Sequence, residues 1–140
     1  MTPFEIPLAP RPEDIDALGH VNNIVYVRWI QEVAGAHWRA ITTPDQRAEL
    51  AWVVMRHEID YKAAARLGDA LLGRTFISET SAATCLRHTE VVRPHDGRML
   101  LQARTTWCAV EPASGRPRRI PAEIKARFGN PQSGSGVEGA

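Results

Sequence analysis

Positions 14 to 23 read Asp-Ile-Asp-Ala-Leu-Gly-His-Val-Asn-Asn. Two carboxylates, Asp14 and Asp16, precede a Gly19-His20 turn, and Asn22 and Asn23 stand where a helix would begin. Asn is a favoured helix N-cap, because its side-chain oxygen accepts a hydrogen bond from a first-turn N–H that no carbonyl within the helix can reach. The remaining free N–H groups and the positive end of the helix dipole then face whatever lies ahead of the helix. A carboxylate in that place can serve as base or nucleophile opposite donors for a developing oxyanion, a pairing suited to acyl chemistry. Asp16 is a candidate for that catalytic carboxylate. Its alternative is a turn-forming Asp, the commoner role on residue type alone, since Asx turns are frequent. Asp14 is expected to be structural.

The elements that must position this stretch follow from patterning. Phe4 to Leu8 is a short strand, kept to an edge by Pro7. Asn22 to Ile41 has helical periodicity, with Arg28, Glu32, Gly35 and Arg39 on one polar stripe and apolar residues almost everywhere else. So narrow a polar stripe predicts burial on most sides, inside a curved sheet. Gln46 to Leu50 reads as a polar connection. Trp52 to Tyr61 alternates, which puts Val53, Met55, His57, Ile59 and Tyr61 on one face of a half-buried strand. Ala70 to Ala82, Leu86 to Arg93 and Met99 to Val110 are three further strands, the last two joined at an Asp96-Gly97 turn. Pro121 starts a short helix. The expected fold is α+β, one antiparallel sheet around one long helix, in a single domain over 1–128. The Gly/Ser-rich tail, 129–140, is expected to be disordered and dispensable.

Composition narrows the function classes. A length of 140 residues suits one domain, and 44% hydrophobic content allows a sizeable core. A formal charge of +1 gives no nucleic-acid footprint and no polybasic membrane patch. Cys85 and Cys108 have no Cys-x-x-Cys spacing and read as buried thiols in a reducing compartment. The five histidines show no metal-ligand spacing, so no metal and no cofactor are expected. No apolar run approaches the ~18 residues of a membrane span. A soluble, cytoplasmic protein is the expectation.

Asp14 to Tyr26, as Asp-x-Asp-x-x-Gly-His-Val-Asn-Asn-x-x-Tyr, resembles the signature of the 4-hydroxybenzoyl-CoA thioesterase family of hotdog-fold proteins. Gly115 to Pro121, Gly-Arg-Pro-Arg-Arg-Ile-Pro, is similar to that family's last strand and its exit, and the likeness extends over roughly Phe4 to Phe128. The resemblance implies a hotdog fold, hydrolysis of an acyl-CoA thioester, Asp16 as the catalytic carboxylate and the Asn23 amide as donor to the substrate carbonyl. It further implies chains that pair their sheets and share active sites, hence a homodimer or homotetramer. Such chemistry suits a sparse site. A thiol with a pKa near ~8.5 leaves without a strong general acid, so carbonyl polarisation and an activated water or a carboxylate nucleophile suffice.

Around Asp16, His20 is a candidate to orient substrate or water, and Gly19, Asn22 and Tyr26 are candidate substrate contacts, with Tyr26 also suited to the core. Glu32, on the helix, is expected to pair with Arg28. Coenzyme A carries phosphates, so Arg87, Arg93, Arg116, Arg118 and Arg119 are candidates for its entrance, Arg87 foremost. Ser81-Ala82-Ala83 stand where some family members have basic residues, which leaves an acyl-carrier-protein substrate open. Two other functions compete. One is a non-catalytic hotdog protein that binds acyl ligands. The other is a dehydratase or hydratase, which would need His57 or His88 beside a carboxylate.

Overall fold

Five runs of alternating sequence pair into one sheet in the computed structural model, which describes residues 2–129. They are β1 (Phe4–Leu8), β2 (Ala51–Tyr61), β3 (Leu71–Thr80), β4 (Thr84–Arg93) and β5 (Arg98–Val110). The sheet is antiparallel throughout, in the order β1-β3-β4-β5-β2, with β1 and β2 as its edges. Period-two burial along β3 and β4 defines the inner face: Leu71, Gly73, Thr75 and Ile77 on one, Cys85, Arg87, Thr89 and Val91 on the other. Arg93 pairs with Arg98 across the Asp96-Gly97 turn, where Gly97 has φ +70°.

Helix α1 (Asn23–Ile41) lies across the inner face against β1 and β3. Its buried residues are Val25, Tyr26, Trp29, Ile30, Val33, Ala34, His37 and Ile41, a single stripe at i, i+3 and i+4 spacing. Gly73 of β3 lets the helix come this close, because a Cβ there would sit 2.6 Å from Val33 Cγ2 and 2.9 Å from Leu8 Cδ1. The expected burial on most sides is not met within one chain. Ile24 is 74% exposed, Ala40 is exposed, and Val27, Ala36 and Trp38 are only half-buried.

Three other expectations are revised. The polar connection after α1 is a helix, α2 (Pro44–Glu49), started by Pro44 and a reciprocal capping box between Thr43 and Gln46. In β2 the alternation slips at Met55, where a bulge breaks the register between Val54 and Arg56. Trp52 and Val54 therefore share the inner face with His57 and Ile59, opposite Ala109, Trp107, Thr105 and Ala103 of β5, while Val53 and Met55 are exposed. Gly115 to Pro121 is no strand: Gly115, at φ +71°, turns the chain after β5, Pro117 makes an isolated bridge to Val110, and the Arg118 N–H donates to the Ala109 carbonyl. Helix α3 (Ala122–Phe128) then closes the core with Ile124 and Phe128. No helix among the described residues is long and apolar enough to cross a membrane. The expected disordered tail lies, beyond Gly129, outside the described residues.

Candidate active site

The segment ahead of α1 is fastened by Asp14. Its carboxylate accepts both Nη groups of Arg28 at 2.9 Å and the Arg11 backbone N–H at 2.8 Å, and the residue is 3% exposed. The Arg28 guanidinium holds the Asp14 carboxyl below the usual carboxylate range, chiefly through that hydrogen bond. Arg28 also meets Glu32 at 3.3 Å, as the spacing of the polar stripe predicts. Backbone bonds from Asn22 N to the Asp14 carbonyl and from Val21 N to the Ala65 carbonyl tie the loop at both ends.

Inside that loop the Asp16 carboxylate uses one oxygen locally. Oδ1 accepts the backbone N–H groups of Leu18, at 2.9 Å, and His20, at 3.2 Å, an Asx turn completed by Gly19 at φ +79°. Oδ2 has no hydrogen-bond partner among the described residues. The two roles weighed for Asp16 thus fall on different oxygens of one exposed carboxylate. Asn22 is the N-cap: its side chain accepts the Ile24 N–H at 3.1 Å, and its carbonyl accepts that of Val25. The Asn23 amide is left without an acceptor among the described residues.

These groups line a cleft of about 440 Å³ formed by Asp16, Leu18, His20, Val21, Asn22, Asn23 and Tyr26 with Tyr61 to Ala64 from the end of β2. The geometry brings together a carboxylate oxygen, an imidazole and the open end of a 19-residue helix. Tyr26 forms the inner wall, 2% exposed, its hydroxyl accepting the Ala65 N–H at 2.9 Å. Burial pushes its phenol up, so it stays protonated and works as an anchor for the loop after β2. Gly19 shapes the turn and is outside the lining. Lys62, absent from the sequence-based candidates, lines the same cleft. Its position after a strand carries no signal until the end of β2 is known to lie beside the Asp16 loop.

The other candidates fall elsewhere. Arg87 is not at an entrance: it is 5% exposed on the inner face of β4, its Nη1 bonded at 2.9 Å to His37 Nδ1 and to Thr75 Oγ1. Its alternation with Cys85, Thr89 and Val91 was the available signal. Arg93 is engaged by Asp69 and Asp96, Arg118 donates to the Glu49 carbonyl, and neither these nor Arg116 and Arg119 line the cleft. His57 Nδ1 meets Thr105 Oγ1 and His88 Nε2 meets Ser78 Oγ, both at 2.8 Å. Neither histidine has a carboxylate partner among the described residues, so the acid–base pair of a dehydratase is not formed by either.

Comparison with known proteins gives the same assignment of fold. Residues 10–128 match the model of the thioesterase-like superfamily. The acyl-CoA thioesterase YbgC of Haemophilus influenzae is 31% identical over 129 residues, 89% of this chain and 93% of that protein. A chloroplastic dodecanoyl-[acyl-carrier-protein] hydrolase of Cinnamomum camphora is 31% identical over 100 residues, 71% of this chain but 24% of its own length. A thioesterase of Thermus thermophilus solved with coenzyme A and zinc superposes with a TM-score of 0.79 at 22% identity, covering 95% of this chain and 96% of the other. A five-stranded antiparallel sheet carrying one long helix is the hotdog fold, and the chain belongs to the thioesterase-like superfamily.

Proposed function

We propose that Asp16 is the carboxylate through which this acyl-CoA thioesterase hydrolyses its substrate, as general base or nucleophile, with the start of α1 polarising the thioester carbonyl. One observation carries this: the Asp16 Oδ2 atom and the Asn23 amide, both without intramolecular partners among the described residues, belong to one cleft. With the carbonyl oxygen on the Asn23 N–H, negative charge that develops there meets a fixed donor and the positive helix end. As base, Asp16 takes a proton from water while the water oxygen bonds to the carbonyl carbon. Collapse of the tetrahedral species breaks the C–S bond, and the thiolate leaves with the proton returned by the Asp16 carboxyl. As nucleophile, an Asp16 oxygen itself bonds to that carbon, expels the thiolate and leaves a mixed anhydride that water hydrolyses. His20 is suited to orienting water, and Lys62 to pairing with a coenzyme phosphate.

Membership of the 4-hydroxybenzoyl-CoA branch rests on the Asp14 to Tyr26 motif. The Cinnamomum relative supports an acyl-carrier-protein thioester as the second substrate class. We place the protein in the cytoplasm, a reading supported by the free, buried Cys85 and Cys108. We further propose a homodimer through β2. This edge strand is 11 residues long, with Val53 47% and Met55 62% exposed, and such an edge needs covering. Leu18, 78% exposed in the cleft wall, and Ile24, 74% exposed in the first turn of α1, favour a partner chain that completes the site.

The test is Asp16→Asn against a panel of acyl-CoA and acyl-carrier-protein thioesters, following thiol release with a chromogenic dye. The expected loss in kcat is at least ~10²-fold, the lower range for a positioned base, with KM little changed. The turn should persist, because the retained Oδ1 can still accept the Leu18 and His20 amides. A variant within tenfold of wild type would remove Asp16 from the chemistry. Wild-type protein that binds the thioesters without releasing thiol would make the chain an acyl-ligand-binding protein.

A further inference from the structure

Tyr26 stands one turn into α1 from Asn23, and its hydroxyl is engaged from one side only. It accepts the Ala65 N–H at 2.9 Å, and its own O–H has no acceptor among the described residues. The residue is 2% exposed, so bulk water is kept from most of it. A phenol carries one donor besides its lone pairs, and a buried donor without an acceptor is costly. Ala65 takes one side of the oxygen, and the carbonyl of the same residue accepts the Val21 N–H at 2.9 Å, just before the cap of α1. Helix side chains lean towards the helix N-terminus, so the Tyr26 ring covers the turn in which Asn23 lies. Tyr26 and Asn23 both line the Asp16 cleft. An N–H and an O–H, each without an intramolecular acceptor among the described residues, thus belong to one wall.

The ring that carries this donor is fixed. Its centroid lies 5.2 Å from that of Trp29, at 87°, and 5.6 Å from that of Tyr61, at 77°, so it has edge-to-face neighbours on two sides. The Ala65 N–H claims one direction around the oxygen and leaves the other to the hydroxyl proton. A bond accepted on one side also polarises the oxygen, which strengthens the O–H as a donor on the other. Burial is the main cause that holds the phenol above its ordinary 10.0, and the proton is therefore present at neutral pH. A donor held in this way needs no reorganisation when charge develops beside it.

We propose, resting on the Asp16 cleft as the site of hydrolysis, that the Tyr26 hydroxyl is a second donor to the thioester oxygen and joins the Asn23 amide there. The proton stays on the phenol throughout. When the attacking oxygen bonds to the carbonyl carbon, the C=O electron pair moves onto oxygen and meets two hydrogen bonds instead of one. The pair returns to re-form C=O as the C–S bond breaks. Tyr26 then has two duties on opposite sides of one atom. It accepts from Ala65, which holds the wall of Lys62, Ala63 and Ala64 in place, and it donates to the substrate.

Tyr26→Phe keeps the ring and removes the hydroxyl. With acyl-CoA thioesters, kcat should fall ~10²-fold, the lower range for loss of one oxyanion donor, with KM little changed. A hydroxyl that only anchored the loop would, on removal, loosen the Lys62 wall and raise KM with kcat largely kept. Circular dichroism checks the fold, because the Ala65 N–H is left without its acceptor. A second measurement keeps that N–H bonded: 3,5-difluorotyrosine placed site-specifically at position 26. Fluorine draws the phenol pKa down towards neutrality, and a phenolate still accepts from Ala65 but can no longer donate. As pH rises, kcat of the fluorinated protein should be lost in step with the ultraviolet absorbance of its phenolate, at pH values where wild type keeps its rate. Asp16, His20, Tyr61, Lys62 and Asp69, the other titratable groups around the ring, are the same in both proteins. A folded Tyr26→Phe variant with kcat within about threefold of wild type would overturn the proposal. So would pH profiles that superimpose across the ionisation of the fluorinated phenol. If Asp16→Asn is fully active, the cleft is not the site and both readings fall; if Asp16→Asn is inactive while Tyr26→Phe keeps its kcat, only this one does.

Discussion

Replacing Asp14 by Asn separates the carboxylate that builds the site from the one proposed to act in it. The change removes the charge facing Arg28 and puts an NH2 group where one oxygen now accepts, so at least one of three bonds at 2.8–2.9 Å is lost. Breaking a fully buried ion pair costs about 3–5 kcal/mol. The Arg28 side chain is 34% exposed and keeps Glu32 at 3.3 Å, so water and Glu32 recover part of that. A loss of about 2 kcal/mol is expected at pH 7, lowering the melting temperature by about 5–8 °C. The folded-state pKa of Asp14 lies below its ordinary 3.8. The stabilisation is therefore complete above pH 3.8 and is lost as pH falls through the folded value. Melts of both proteins by circular dichroism should differ by a constant amount from neutral pH to about 4, then converge towards about pH 2. Thioesterase activity should fall less than tenfold, in contrast to Asp16→Asn. A gap that persists in acid, or a kcat loss as large as that of Asp16→Asn, would refute the division of labour.

Two further outcomes follow from buried and edge residues. His37 is fully buried and its pKa is drawn from 6.5 to about 3, so between those values the unfolded chain binds the extra proton and stability falls with pH. The slope from this group approaches about 1.4 kcal/mol per pH unit; His37→Gln, which can still accept from Arg87, should flatten it in urea titrations between about pH 6 and 4.5. Met55→Glu on the β2 edge should turn a sedimenting dimer into single chains at micromolar concentration, and wild-type protein that already sediments as one chain would remove the shared-interface proposal.

What the sequence determined by itself was local. An Asn at a helix start, a Gly able to take positive φ and a carboxylate two residues before a free N–H give the Asp16 turn and the Asn22 cap without help from distant residues, because their hydrogen bonds span at most four positions. Strand existence was legible for the same reason, through period-two alternation, as was the Asp96-Gly97 hairpin. Face assignment in β2 was not. Val53 and Met55 continue the alternation of His57 and Ile59 on paper, but pairing with β5 inserts a bulge, and only the cross-strand partner decides which phase is buried. Arg87 shows the same limit for a site residue. Charge suggested a phosphate contact at the surface, while the inner-face register of β4 buries it against His37, 50 positions away. Lys62 reaches the Asp16 cleft only because the chain leaving β2 passes beside the start of α1. Such meetings are set by how strands register and by where a helix can approach a glycine, and those are properties of the assembled sheet.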